Sequence, residues 1–273
     1  MVRALWSAAS GMKAQQTNVD TIANNLANVN TVGYKTETNE FKSLLYQTLQ
    51  SKTTTANGAN KPIGAQVGLG VRNASITSQF TQGELTASES DTAFAINGDG
   101  FFAVKGEDGN TYYTRNGNFV FAIGVGNNLV LTNSDGLPVL NTAGNPIQVP
   151  NTYITSKIEV DKDGQLWYPD ANNNLQKING MQIGLYQFQN PAGLNKEGDA
   201  LYAVTPASGA AMNEATNNNL TKSKLFQGYL EASNVQVADE MVNLIIAQRA
   251  YEMNSKAVQA ADTMMQEANE LRR

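Results

Sequence analysis

The stretch RALWSAASGMKAQQTNVDTIANNLANV, residues 3–29, decides how this chain is built. Within it Leu5, Ala8, Met12, Gln15, Val19, Ile22, Leu26 and Val29 recur in steps of three and four, the a/d seam of a coiled coil. Only Gln15 interrupts the apolar run. The far end of the chain repeats the steps at Val237, Met241, Leu244, Gln248, Tyr251, Ser255, Val258, Asp262 and Met265, with polar interruptions at Gln248, Ser255 and Asp262. The chain is therefore expected to begin and end in two helices that pair.

Away from the seam, the N-terminal segment is unusual for a helix meant to face water. Between Arg3 and Tyr34 the only charges are Arg3, Lys13 and Asp20, and the remaining surface is Ala, Ser, Thr, Gln and Asn. A solvent-facing helix normally carries charge on its outer side. One apolar stripe does not offset the conformational entropy of ordering so long a segment. Neighbours on several sides are expected.

Composition narrows the chemistry. At 273 residues there is room for one large domain or two ordinary ones. Charged residues make up 16% and the formal net charge is -5, which argues against a nucleic-acid binder held by phosphate contacts. Cysteine is absent, removing disulfides, thiolate metal sites and cysteine nucleophiles. Histidine is absent too, so a histidine general base, a Ser-His-Asp triad and an imidazole metal ligand have no residue to supply them. The apolar run after Arg3 stops at Ser10-Gly11, too short for the core of a cleaved signal, so the N-terminus is read as retained. No stretch reaches the ~20 apolar residues of a membrane-spanning helix, and no membrane insertion is expected.

Along the chain, the first helix runs out at Asn28-Val29-Asn30-Thr31, whose side chains compete with helical hydrogen bonds, and Gly33 supplies a permissive C-terminal position. Phe41, Leu44, Leu45 and Leu49 keep helical spacing, which predicts an extension of the helix or a short second one. Residues 51–60 are rich in Thr, Asn and Gly and read as a linker or mobile loop. From Val71 the period becomes strand-like. Phe101–Val104 and Thr111–Arg115 are joined through Glu107-Asp108-Gly109-Asn110, the chemistry of a hairpin turn, and Asn116-Gly117, Ser134-Asp135-Gly136 and Asp163-Gly164 mark further turns. Leu166–Tyr168, Ile183–Phe188 and Leu201–Val204 complete the set of strands named from pattern. The expected fold class is α+β, with terminal helices paired as a coiled-coil layer and a central antiparallel β-rich domain. The domain reading is a helical inner domain of residues 1–50 and 225–273, a flexible linker at 51–70, and a β-rich outer domain at 71–224.

Candidate chemistry is thin. Asp161-Lys162-Asp163-Gly164 resembles the start of a calcium loop, but the glycine falls two places early and no glutamate sits at the twelfth position, so it reads as a turn. Gly68-Leu69-Gly70 and Gly98-Asp99-Gly100 lack the strand-to-helix context of a phosphate loop. Glu84, Glu89, Asp91, Asp99, Glu107 and Asp108 could supply the paired carboxylates of a secreted glycosidase, or simply sit on turns. Phe101, Phe102, Tyr112, Tyr113, Phe119 and Phe121 read as core and cross-strand pairs rather than a sugar platform.

Longer matches point further. Ala23-Asn24-Asn25-Leu26-Ala27-Asn28 followed by Thr31-Val32-Gly33-Tyr34-Lys35 resembles the signature closing the N-terminal helix of bacterial flagellar rod and hook proteins, with Asn24, Asn25, Leu26, Asn28, Thr31, Gly33 and Tyr34 as its residues. Arg3–Trp6 with Gly11-Met12, Ala95–Phe102, Tyr113–Gly117, Gln227–Val235 and Gln248–Lys256 are similar to the distal rod branch of that family. The resemblance implies a structural subunit with no catalytic residue, cofactor or metal. In that family the terminal helices form the inner layer of a hollow helical tube and the β domain the outer layer, and subunits are exported through the flagellar type III apparatus without signal cleavage. The implied location is the basal body in the cell envelope. The implied partners are further copies of the chain, other rod and hook subunits and the surrounding rings. Assembly is then assigned to Leu5, Met12, Val19, Ile22, Leu26, Val29, Val237, Met241, Leu244, Tyr251, Val258 and Met265. A hook or proximal rod subunit is the nearest alternative, although hook proteins carry an additional outer domain; a secreted wall-binding or hydrolytic protein is the alternative of another class.

Overall fold

The computed structural model describes residues 2–50, 64–124, 126–170, 174–217 and 219–271. The chain forms two compact units, one of Met1–Ala27, Glu37–Ser78 and Gln236–Arg273, the other of Asn28–Thr36 and Gln79–Val235. Chain order begins with α1 (Val2–Ala27), β1 (Glu37–Ser43), β2 (Tyr46–Gln50), β3 (Ala65–Gly68) and β4 (Val71–Ser78). Then follow β5 (Leu85–Ala87), β6 (Phe94–Asn97), β7 (Phe101–Lys105), β8 (Thr111–Thr114), β9 (Val120–Ile123), β10 (Leu129–Thr132) and β11 (Gln148–Val149). Next are β12 (Glu159–Val160), β13 (Gln165–Pro169), β14 (Leu175–Gln182), β15 (Leu185–Gln187), β16 (Asn195–Gly198) and β17 (Leu201–Ala203). The chain finishes with β18 (Met212–Asn213), β19 (Lys224–Gln227), β20 (Tyr229–Glu231) and α2 (Val237–Glu270). Two helices and a β-rich centre make the fold α+β.

In the first unit α1 and α2 lie against each other. A Cβ on Gly11 would stand 2.9 Å from Asn254 Nδ2, and Asn25 Nδ2 donates to Glu240 Oε2 at 3.3 Å. Moving from 11 to 25 along α1 therefore means moving from 254 to 240 along α2, so the helices are antiparallel. The fully buried residues of α2 are Glu240, Ala247 and Ala261, separated by multiples of seven, so one stripe of this helix faces inward. Small residues on that stripe let the two backbones approach.

The remainder of this unit differs from the helical expectation for residues 34–50. Glu37–Ser43 is β1 and pairs antiparallel with β4, with a bulge between Glu40 and Phe41, and Tyr46–Gln50 is β2, paired with β3. Phe41, Leu45 and Leu49 are exposed, Leu45 at 82%, so their helix-like spacing marks no buried face. The ribbon of β1 and β4 packs along α1, where Val71 N donates to Ser10 Oγ at 3.3 Å. Gly70, at φ +115°, sits so close to Ser10 Oγ that no side chain fits there. Of the expected linker, residues 51–63 lie outside the described residues, while Ala65–Gly68 is a strand. The strand β4, expected in the β domain, belongs with the helices, and residues 225–231, expected in the helical end, lie in β19, which pairs with β6, and β20, which pairs with β5.

The second unit is built around a six-stranded sheet in the order β16-β17-β8-β7-β15-β18. Its hairpin, β7 to β8, is the one expected from the turn Glu107–Asn110. Successive residues of β7 point to opposite sides of the sheet. Phe102 and Val104 enter one core with Phe94, Phe119, Leu131 and Ile183, while Phe101 and Ala103 enter another with Tyr113, Phe188 and Tyr202. Both faces are covered, so β7 is apolar from Phe101 to Val104 rather than alternating, and only Lys105 at its end is exposed. Of the aromatics expected as core, Tyr112 and Phe121 are half-buried at its edge and the other four lie inside. Phe101, Phe102, Tyr113 and Phe119 are buried, and Phe102 meets Phe119 edge to face at 5.0 Å between centroids.

Candidate assembly surface

The residues assigned to assembly divide by helix. On α1, Ile22 is buried and Leu5, Met12, Val19 and Leu26 are half-buried; Val29 lies past the helix end, half-buried in the second unit. On α2, Leu244, Val258 and Met265 are half-buried, but Val237, Met241 and Tyr251 are exposed. The inward stripe of α2 at positions 240, 247 and 261 is offset by one residue from positions 241, 248 and 262 of the expected seam. Half of the expected repeat thus faces away from α1.

What faces away is strongly apolar. Met241, Val242, Ile245, Ile246 and Met253 are between 53% and 65% exposed, and Trp6 on α1 is exposed as well. Val242, Ile245, Ile246 and Met253 were absent from the seam read in the sequence. Their signal is nonetheless local: Leu244-Ile245-Ile246 are consecutive, and a helix cannot turn three consecutive side chains toward one neighbour. A helix that is apolar on more than one side is a buried helix, and this chain alone does not bury it.

The signature residues do structural work at the end of α1. Asn25 is buried and mimics a strand partner for Glu37: its Nδ2 donates to Glu37 O at 2.8 Å, and its Oδ1 accepts from Glu37 N at 2.9 Å. Thr31 N donates to Asn28 O at 3.1 Å and Tyr34 N to Thr31 O at 3.3 Å, closing the turns that follow the helix. Gly33 takes φ +71°, and a Cβ there would come within 2.8 Å of the backbone at Arg115 and Asn116. Only glycine fits. Asn24 is exposed and Leu26 half-buried.

Within the second unit lies a charged cluster that no local pattern announced. Glu231 Oε1 accepts from Lys35 Nζ at 2.6 Å and from Gly83 N at 3.0 Å, while Oε2 accepts from Arg115 NH1 at 3.3 Å. Lys35 Nζ also donates to Thr81 O at 2.8 Å, and Arg115 NH2 to Gly98 O at 2.7 Å. The Arg115 guanidinium lies over the Phe101 ring, 5.1 Å from its centroid. Burial pulls the Lys35 ammonium below the usual lysine range, opposed by the Glu231 charge and hydrogen bond. Nearby, Asn234 Oδ1 accepts from Thr36 N and Thr36 Oγ1, and its Nδ2 donates to Gln79 O, so segments 33–36, 79–83 and 231–234 are tied to one another.

The other candidates take simple roles. Glu84, Glu89, Asp91, Asp99, Glu107 and Asp108 are all exposed. The Asn110 backbone N–H and the Tyr112 hydroxyl hold the Asp108 carboxyl below its usual range, the opposite of what a glycosidase acid requires. Asp161 and Gly164 close the β12–β13 turn, with Gly164 N donating to Asp161 O at 2.8 Å.

Three family models match the chain: residues 5–35 match "Flagella basal body rod protein", residues 95–168 match "Flagellar hook protein FlgE/F/G D1 domain", and residues 227–271 match "Flagellar basal body rod FlgEFG protein C-terminal". Among curated relatives, the flagellar basal-body rod protein FlgG of Borreliella burgdorferi is 43% identical over 100% of both chains. FlgG of Agrobacterium fabrum is 40% identical over 96% of this chain and 97% of its own. The Bacillus subtilis FlgG is 36% identical over 100% of both.

Proposed function

This chain belongs to the family of flagellar basal-body rod proteins FlgG, and from that premise we propose how it works as a structural subunit of the distal rod. Copies polymerise through α1 and α2 into a hollow helical shaft that passes motor torque to the hook and filament. The observation that carries this reading is the apolar side of α2 formed by Met241, Val242, Ile245, Ile246 and Met253, exposed in the single chain. Helices of neighbouring copies cover it, with the seam residues Leu5, Met12, Val19, Ile22, Leu26, Val258 and Met265 completing a coiled-coil layer around the channel. An interface that repeats head to tail without closing makes a filament, as a shaft requires.

The subunit has no catalytic role. It resides in the basal body within the cell envelope, and contacts other rod subunits, the hook and the surrounding rings. Electron microscopy of basal bodies from a strain lacking the chain tests this reading. Inner rings carrying a truncated rod, with no hook, are expected; a complete rod without a hook would assign the chain to the hook instead.

A further inference from the structure

Between α1 and β4 is a recess of about 250 Å³ lined by Ser10, Lys13, Ala14, Val71, Arg72 and Asn73. Two of these residues are cations, both exposed, and among the described residues neither has a carboxylate partner. Asn73 Oδ1 is buried there without a hydrogen-bond donor. A fitting occupant supplies anions and at least one N–H group.

Elimination among the carboxylates of α2 picks the occupant. Glu240 is buried and engaged by Asn25, and Glu252 pairs with Arg249 at 3.1 Å. Asp239 lies in the first turn of α2, where the helix dipole favours a negative charge. Beyond Lys256 the helix carries Asp262, Glu267 and Glu270 and no lysine or arginine before Arg272 and Arg273, and Gln266, whose Nε2 donates to Asp262 Oδ2 at 3.5 Å, has a second N–H to give. Apart from half-buried Met265, residues 262–270 are exposed. We propose that the recess of Lys13, Arg72 and Asn73 docks the C-terminal third of α2 from a second copy of this chain, with Asp262 and Glu267 as its anions. The proposal rests on the rod-subunit reading and names one of its interfaces.

The chain contains no cysteine, so Lys13→Cys with Glu267→Cys creates a single addressable pair. Within one chain, position 13 lies level with position 252, about 22 Å along the helix from 267, so a bond between the two introduced thiols is intermolecular. In cells carrying the double variant in place of the native chain, oxidation should give a ladder of covalent multimers that neither single-cysteine variant gives. In parallel, Lys13→Glu with Arg72→Glu should lose motility, and adding Asp262→Lys with Glu267→Lys should restore it. If the double-cysteine chain fails to assemble, the charge exchange decides alone. No ladder and no restoration in cells whose rods still contain the chain would overturn the docking while leaving the rod reading intact. Cross-linking of position 13 to another protein would likewise overturn it. Normal swimming without the chain would instead remove the rod reading itself.

Discussion

Lys35 Nζ stands 2.6 Å from Glu231 Oε1 with neither side chain exposed to solvent, although 196 positions separate the two residues. Arg115 completes the cluster from the other carboxylate oxygen, giving two cations to one anion in the interior. Such a group is costly to assemble and more costly to break, because a lone buried charge has neither water nor partner. The arrangement ties the segment leaving α1 to the segment approaching α2.

Replacing Glu231 with Gln should therefore destabilise the second unit strongly, by about 3–5 kcal/mol, since two cations lose their counter-charge at once. Urea unfolding of the purified chain, followed by tryptophan fluorescence, reads the change. A loss under about 1 kcal/mol, the scale of an exposed pair, would contradict the assignment.

Close helix packing at Gly11 makes a second prediction. Gly11→Ala places a methyl group 2.9 Å from Asn254 Nδ2, the end of a flexible side chain, and displacing it should cost about 1 kcal/mol, offsetting the ~1 kcal/mol by which alanine is favoured over glycine inside a helix. Truncating the opposing side chain, Asn254→Ala, should relieve most of that cost in the double variant. Additive losses would mean that the two positions do not touch.

At Gly33 the constraint is backbone. Gly33→Ala must hold φ +71° with its Cβ 2.8 Å from Arg115 C and Asn116 N, so the loss should exceed the ~1 kcal/mol of a simple left-handed penalty. A thermal melt of the variant checks this, and an unchanged Tm would refute it.

Alkaline pH should weaken the second unit through Tyr113. Burial, with a smaller contribution from Tyr186, pushes its hydroxyl up from 10.0 to about 12. A group whose folded pKa is raised contributes stability that is complete below pH 10 and lost as pH rises toward about 12. Unfolding titrations between pH 9 and pH 12, ranges taken from that shift, should show this slope in the native chain and a shallower one in Tyr113→Phe. Equal slopes would remove Tyr113 from the account.

How much of this was legible in the residues depends on whether a pattern was local. The helix α1 announced itself through an unbroken three-four spacing and its Asn-rich end, and the β7–β8 hairpin through Asp108-Gly109 between apolar runs. Residues 37–50 misled because the bulge at Glu40 breaks the alternation of β1 and every residue of β2 is exposed, leaving no two-residue period to read. On α2 the apolar positions mark what the single chain leaves uncovered, while its inward stripe is small or charged at Glu240, Ala247 and Ala261. Under the proposed assembly, those apolar positions are the ones that neighbouring copies cover. The Lys35, Glu231 and Arg115 cluster has no local signature, since its members meet only once the β unit has closed.

The most direct test of assembly through the exposed side of α2 is the basal-body content of a chain carrying Ile245→Asp and Ile246→Asp. Both side chains are more than half exposed, so the substitution spares the folded subunit while placing two charges where neighbouring helices pack. The variant should be exported yet absent from purified basal bodies, and the cells should not swim. Basal bodies of normal length containing the substituted chain, in motile cells, would contradict the proposed shaft.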